Sequence, residues 1–220
     1  MGRRFISVML VDDHAVVREG FRRLLEKHDG IAVVAEAASA AEAYREYKKH
    51  GPDVVVMDVS MPGRGGIDAI VHLRQWDAAA RVLVFTMHLN AVFALYAFRA
   101  GARGYVTKSS PPELLVSAVQ DVAAGRIAIC PQVKDAIAMS RLEDDASIIE
   151  ALSPREFEIL RLLLDARSTE EIAAAFNLSL KTVANYHYSI KSKLRVASDI
   201  ELMHFGLRSG LVKPVQVREL

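Results

Sequence analysis

The chain has 220 residues, of which 51% are hydrophobic and 25% charged, a composition that suits one or two globular domains and excludes a disordered protein. The formal net charge is +1, which excludes a polycation that would hold nucleic acid through its overall charge. A single cysteine, Cys130, excludes an internal disulfide and suits a reducing compartment.

The first apolar run, residues 5–11, is too short for a signal peptide or a membrane span, so we expect a cytoplasmic protein with no membrane association. Short apolar runs rich in β-branched residues then alternate five times with helical patterns. The runs that predict strands are 5–11, 31–35, 54–57, 81–85 and 105–107. The patterns that predict helices are 16–25, 37–49, 67–73, 92–100 and 112–124. This alternation predicts an α/β fold, a doubly wound five-stranded parallel sheet.

Polar side chains follow four of the five strands: Asp12 and Asp13, Asp58, Thr86 and Lys108. The carboxyl ends of parallel strands meet at one edge of the sheet, which is where such sheets bind ligands. Three carboxylates repel one another and need a cation, and carboxylate oxygens suit Mg²⁺. Lys108 adds a positive charge and Thr86 a hydroxyl. The set is suited to phosphoryl transfer onto a carboxylate.

Each of these residues has a structural alternative. Asp12 or Asp13 could cap a helix, and Asp58 could start a turn. Thr86 could be purely structural, and Lys108 could be a solvent-exposed charge. A Rossmann-type nucleotide-binding site is excluded, because no glycine-rich turn follows the first strand, and no P-loop is present.

Four segments resemble the receiver domain of two-component response regulators, which has a flavodoxin-like fold. They are LVDDHAVVREGFRRLL (10–25), VVMDVSMPGRGG (55–66), FTMH (85–88) and GARGYVTKS (101–109). The resemblance covers residues 5–125. It implies that Asp58 is the phosphoacceptor and that Asp12 and Asp13 form an acidic pocket. Asp13 and Asp58 would ligate Mg²⁺ with the backbone carbonyl of Ser60.

The same resemblance implies two switch residues and one phosphoryl contact. Thr86 matches the switch hydroxyl and Lys108 the phosphoryl-contacting lysine. Tyr105 matches the aromatic residue that this family turns inward on activation, although a buried core ring is the alternative.

Residues 129–149 are predicted to be a linker between two domains, 1–128 and 150–216. The segment 132–139 suits a short helix, whereas 141–147 is polar and acidic, and 131–150 carries a net charge of −3.

Three helix starts follow. Ser153 precedes Pro154 with Glu156 at the third position, Ser168 precedes a second helix, and Ser179 precedes a third that runs to about Leu194. A fourth helix is predicted over 199–208. Two short helices joined by a tight turn indicate a helix-turn-helix.

The third helix, 180–194, carries apolar residues on one face and polar residues on the other. The outward set is Lys181, Thr182, Asn185, His187, Tyr188, Lys191 and Lys193. Asparagine suits adenine and lysine suits phosphate or guanine, so this face is a candidate for DNA binding. The alternative is the polar face of a small helical bundle.

The segments LSPREFEIL (152–160), STEEIAAAFNLSLKTVANY (168–186) and IKSKL (190–194) resemble the LuxR-type helix-turn-helix, which with the receiver marks the NarL/FixJ class. The segment 198–212 resembles regulators of the GacA/UvrY/BvgA type. Ala184 and Tyr188 stand where many relatives carry lysine, so we expect a different DNA preference. The fourth helix dimerises in this family, which makes Ile200, Met203 and Leu207 dimer candidates, with core packing as the alternative.

The resemblance therefore implies a phosphorylation-controlled transcription regulator. The resemblance implies no enzyme activity other than self-catalysed phosphotransfer and autodephosphorylation. Expected partners are a sensor histidine kinase, double-stranded DNA and a second copy of the phosphorylated chain. Contact with RNA polymerase is compatible with this role. A dehalogenase-type phosphatase would need a second carboxylate where Ser60 stands. A phosphorylation-independent DNA-binding protein with a receiver-like scaffold remains the alternative.

Overall fold

The computed structural model describes residues 5–61, 65–140, 149 and 151–212. The chain divides into two compact units between Ala136 and Ile137, inside the predicted linker. Two regions singled out in the sequence lie outside the described residues: the loop 62–64 and the acidic stretch 141–147.

The first unit contains a parallel sheet. Its strands are β1 (Ile6–Val11), β2 (Ile31–Ala37), β3 (Val54–Met57), β4 (Val82–Thr86), β5 (Gly104–Thr107) and β6 (Ala128–Ile129), in the order β2-β1-β3-β4-β5-β6. The doubly wound parallel fold is confirmed, but the predicted number of five strands is wrong. The sixth strand has two residues, too few to produce a periodic pattern.

The helices of the region up to residue 140 are α1 (Ala15–Glu26), α2 (Ala40–His50), α3 (Gly65–Trp76), α4 (Ala91–Arg99), α5 (Pro112–Ala123) and α6 (Pro131–Ser140). The predicted start of α2 at residue 37 is wrong. The side chain of Ser39 accepts a hydrogen bond from the Glu42 N–H and caps the helix, while Ala37 ends β2. Helix α6 confirms the short helix predicted at 132–139.

The strand order reverses between β1 and β3, with β2 on one side of β1 and the remaining strands on the other. All four residues of β3 are buried, as are the last four of β1. The neighbouring carboxyl ends of these two strands therefore form a rigid support at the position where doubly wound sheets bind ligands.

The second unit contains α7 (Pro154–Leu164), α8 (Thr169–Phe176), α9 (Leu180–Leu194) and α10 (Asp199–Arg208). Ser153 and Ser168 begin their helices as predicted, and each forms a capping box, with Glu156 and Glu171 respectively. Asn177 adopts a left-handed conformation with φ of 53° and makes the tight turn between α8 and α9. The predicted four-helix arrangement with its helix-turn-helix is thereby confirmed.

None of the helices within the described ranges has the length and apolar character needed to span a bilayer.

Candidate functional site

The acidic residues predicted from the strand ends lie together. Val11 is paired with Met57 in the register of β1 and β3, so Asp12 and Asp58 follow on adjacent strands. Nζ of Lys108, which follows β5, lies 2.5 Å from Oδ2 of Asp12 and 2.6 Å from Oδ2 of Asp58. The three side chains are at least nine-tenths buried. The structure thus joins two carboxylates and one ammonium group from three separate strands.

The hydrogen bonds of this cluster set its charge. Burial alone would raise the pKa of Asp58, but the bond from Lys108 and the bond from the backbone N–H of Ser60, at 2.8 Å, outweigh burial and lower the pKa. Burial would conversely lower the pKa of Lys108, but the bonds to Asp12 and Asp58 raise it. Asp58 is therefore a carboxylate and Lys108 an ammonium at neutral pH.

Asp13 lies at the open side of the pocket, with its side chain 26% exposed, and His14 is its neighbour. Nδ1 of His14 lies 3.0 Å from Oδ1 of Asp13 and 3.3 Å from Oδ1 of Asp12. The ligand atoms of these three residues fall within 4.8 Å of one another. Oxygen donors of this kind fit Mg²⁺, and Asp58, which shares the Lys108 ammonium with Asp12, supplies a further carboxylate.

The idea that Asp12 or Asp13 caps α1 is wrong. His14 occupies the N-cap position and makes no side-chain cap bond, while Oδ1 of Asp12 accepts a 2.8 Å bond from the His14 backbone N–H. That bond occupies one oxygen of Asp12, while the other, Oδ2, accepts from Lys108 in the pocket. His14 was missed as a pocket residue, although its position directly after the acidic pair was a signal.

Thr86, whose hydroxyl is predicted to be a switch, is fully buried, and that hydroxyl already has a partner. Its Oγ1 lies 3.0 Å from Oγ of Ser60, a residue that the sequence implicated only through its backbone carbonyl. The two hydroxyls share a hydrogen bond, so Thr86 is tied to the loop that follows Asp58.

Tyr105 is also fully buried, and its hydroxyl donates a 3.0 Å bond to the backbone carbonyl of His88. The His88 ring stacks on Phe93 with ring centroids 4.0 Å apart. Tyr105 is thus bonded to the β4–α4 loop, two residues after Thr86, and its turning inward on activation stays a prediction.

A cationic network that the sequence did not predict lies behind Asp12. The guanidinium of Arg18 donates to the Asp12 backbone carbonyl and, at 3.2 Å, to Glu36. Arg22 holds the other oxygen of Glu36 at 2.6 Å. These bonds cross from α1 to β2 and fix the backbone at the acidic pair.

The outward face predicted for α9 falls into two groups in the structure. Lys181, Asn185 and Tyr188 are exposed, and Tyr188 is 76% exposed. Thr182 is half-buried at the helix start, where its backbone N–H donates to the Ser179 side chain. Ala184 and Ser192 share the exposed face, although the sequence did not single them out as contacts.

The other three residues of the predicted set lie against carboxylates, and the two lysines among them form ion pairs. Nε2 of His187 lies 2.9 Å and Nζ of Lys191 3.0 Å from Oδ1 of Asp199, at the start of α10. Lys193 lies 2.6 Å from Oε2 of Glu156 on α7. These side chains connect α9 to its neighbouring helices.

The dimer candidates on α10 are not core residues. Ile200 is 71% and Leu207 40% exposed, and Met203 is half-buried, whereas Leu202 and Phe205 fill the core. An apolar face of α10 is therefore exposed in the single chain.

Two family models match the chain. The first, described as "Response regulator receiver domain", matches residues 8–120, and the second, "Bacterial regulatory proteins, luxR family", matches 150–205.

Relatives and solved structures agree with these matches. The response regulator UvrY of Escherichia coli is 38% identical over 94% of this chain and 95% of its own. A crystal structure of a LuxR-family two-component response regulator from Aurantimonas sp. SI85-9A1 is 58% identical over 63% of this chain and 99% of that one, with a TM-score of 0.62. RcsB from Salmonella enterica serovar Typhimurium, bound to promoter rprA with phosphomimetic BeF3⁻, has a TM-score of 0.72 and 26% identity over 92% of this chain and 98% of that one.

Proposed function

The chain belongs to the response regulators of the NarL/FixJ class, which join a receiver domain to a LuxR-type helix-turn-helix, and on this premise we propose how its residues work. The protein is a phosphorylation-controlled DNA-binding transcription regulator. The two families that match it are regulatory families and not families of catalytic enzymes. We propose the domain limits 1–128 and 150–216, with 129–149 as the linker, and a cytoplasmic location.

We propose that Asp58 accepts the phosphoryl group. An ionised carboxylate is required as the nucleophile, and the lowered pKa of Asp58 provides it at neutral pH. In the transfer, a carboxylate oxygen of Asp58 bonds to phosphorus while the bond between phosphorus and the imidazole nitrogen of a sensor histidine kinase breaks. The imidazole keeps the electron pair of that bond. The same acceptor would react with a small acyl phosphate, with the carboxylate as leaving group.

Lys108 would contact the transferred group, and its ammonium lying 2.6 Å from Oδ2 of Asp58 supports this role. Positive charge held there favours the transition state over the separated reactants. Asp12, Asp13, Asp58 and the Ser60 carbonyl would hold Mg²⁺, which supplies further positive charge against the phosphoryl oxygens. Autodephosphorylation at the same carboxylate completes the cycle.

The switch is proposed to start at Thr86. A phosphoryl group on Asp58 would offer the Thr86 hydroxyl a charged acceptor in place of the neutral hydroxyl of Ser60. Hydrogen bonds to a charged acceptor are stronger than those between neutral groups. A shift of Thr86 moves the β4–α4 loop, where Tyr105 is bonded to His88. The population then shifts toward the active form.

The output is proposed to be a homodimer on double-stranded DNA. The RcsB structure with promoter DNA supports DNA binding through this fold, and the exposed residues Ile200 and Leu207 on α10 suit a dimer contact. Contacts with RNA polymerase at the promoter are compatible with this arrangement.

The single observation that carries the proposal is the buried cluster of Asp58, Lys108 and Asp12. The test is to incubate the full chain with acetyl phosphate and Mg²⁺ and to measure intact mass and light scattering. We expect one phosphoryl adduct and a shift to dimer in the wild type and in Asp121→Ala, which changes an aspartate on α5 whose side chain is 41% exposed. Asp58→Ala should show neither. An adduct that persists in Asp58→Ala would move the acceptor elsewhere, and no adduct in the wild type would favour a phosphorylation-independent regulator.

A further inference from the structure

One stripe of exposed side chains runs along α9. It contains Lys181, Ala184, Asn185, Tyr188 and Ser192, spaced three, one, three and four residues apart. Residues at this spacing lie on the same side of an α-helix. Since α9 is the second helix of the helix-turn-helix, this stripe is the surface that would face a DNA groove, and its role as a reading surface rests on the proposed DNA binding.

The stripe has little charge at its centre. Lys181 stands at its amino-terminal end and is the one cation that the described stripe contains. The cations beside it are engaged elsewhere, because Lys191 pairs with Asp199 and Lys193 pairs with Glu156. Bidentate lysine or arginine contacts are the usual means of recognising guanine, and the middle of this helix offers none.

Tyr188 is the largest side chain of the stripe. Its ring is 76% exposed, and among the described residues it has no hydrogen bond and no ring contact. Packing within the domain therefore does not account for an aromatic residue at this position. The ring presents an apolar surface to whatever the stripe binds.

The chemistry of the two central residues selects one kind of base pair. The amide of Asn185 has the donor and acceptor that match the N6 and N7 of adenine. The 5-methyl group of thymine is the apolar group on the major-groove edge of a base pair, and it suits an aromatic ring. Asn185 and Tyr188 are separated by about 4.5 Å of helix rise, close to the spacing of about 3.4 Å between base pairs.

We propose that Tyr188 is a specificity-determining residue that contacts a thymine methyl group beside the adenine bound by Asn185. The centre of the recognition helix would then select adjacent A·T pairs in the major groove.

The experiment first selects binding sites for the full wild-type chain, treated with acetyl phosphate and Mg²⁺, from a pool of random DNA duplexes. Each thymine of the selected site is then replaced by deoxyuridine, which lacks only the methyl group. We expect one position at which this replacement weakens binding about fourfold, the factor for one buried methyl group. Tyr188→Phe should retain that sensitivity and Tyr188→Ala should lose it, while Ser192→Ala, a control on the same stripe, should keep it.

Each result decides the matter. A site without adjacent A·T pairs, a site insensitive to every methyl deletion, or a Tyr188→Ala variant with unchanged sensitivity would overturn this inference and leave the DNA-binding function intact. Failure to enrich any duplex would overturn the inference together with the function on which it rests.

Discussion

Replacing Glu156 with glutamine should remove the charge that holds the recognition helix against its neighbour. Glu156 is 5% exposed, and it accepts hydrogen bonds from three groups. Two come from α9, the Ser189 hydroxyl at 2.8 Å and the Lys193 ammonium at 2.6 Å, and one from the Ser153 backbone N–H at 2.7 Å. Glutamine keeps the shape of the side chain and the capping position, so the change isolates the charge.

The pKa of Glu156 gives the magnitude. Burial alone would raise it, but the bonds from Lys193, Ser153 and Ser189 outweigh burial and lower the pKa from 4.5 to about 2. A difference of about 2.5 corresponds to about 3 kcal/mol at roughly 1.4 kcal/mol for each pKa unit. Because the folded-state pKa is the lower one, this stabilisation is fully present above pH 4.5 and is lost as the pH falls toward 2. We therefore expect Glu156→Gln to cost about 3 kcal/mol at pH 7 and about half of that at pH 3.

The assay is urea unfolding followed by circular dichroism and by fluorescence. Trp76, the only tryptophan of the chain, reports on the first unit and should be unaffected by the change, whereas the helical signal of the second unit should be lost at lower urea. Glu171→Gln is the matched control, since Glu171 closes the equivalent capping box of α8 at an exposed position and should behave like the wild type. A cost below about 1 kcal/mol, or one independent of pH, would refute the assignment of this charge as a structural contact.

Three further changes test the other contacts. Lys108→Met should destabilise the first unit by about 3 to 5 kcal/mol at neutral pH, because it leaves buried Asp58 without its cation, and Mg²⁺ should restore part of that in urea unfolding. An unchanged free energy of unfolding in Lys108→Met would contradict the pairing of Lys108 with Asp58. Ser60→Ala removes the hydrogen bond between Ser60 and Thr86, which is worth about 1 kcal/mol. The fraction of dimer without phosphodonor, measured by light scattering, should therefore rise about fivefold. An unchanged fraction would contradict the role of this bond. Asp199→Asn should release the Lys191 ammonium and steepen the salt dependence of DNA binding by about 1 in log–log slope, and an unaltered slope would contradict the pairing of Lys191 with Asp199.

Local patterns were sufficient to predict most of the fold. A buried parallel strand such as β3 must be apolar on both faces, so its run of valines was legible without any knowledge of its neighbours. The serine caps of α7, α8 and α9 were equally legible, because a cap and its N–H partner lie three residues apart. The two-residue strand β6 had no such signal, since it exists only through its pairing with β5.

The candidate site was predictable as a set of residues but not as a set of bonds. The positions of Asp12, Asp58 and Lys108 after the strands β1, β3 and β5 predicted their convergence, because parallel strands bring those ends to one edge. The bond between Ser60 and Thr86 joins residues 26 positions apart, and either hydroxyl alone suits a solvated loop. Such a partnership depends on which loops the sheet places side by side, and no local spacing encodes it.

The same limit explains why the recognition helix was only partly predicted. In the sequence, Lys181, Lys191 and Lys193 are equivalent outward cations of an amphipathic helix. In the structure Lys191 and Lys193 neutralise Asp199 and Glu156, eight and 37 residues away. These carboxylates neutralise the ammonium groups that would otherwise be free to bind phosphates. The free domain therefore presents less positive charge to DNA than its composition suggests. With Lys181 at its end, an amide and an exposed aromatic ring at its centre, the described stripe offers more contacts to base edges than to phosphates.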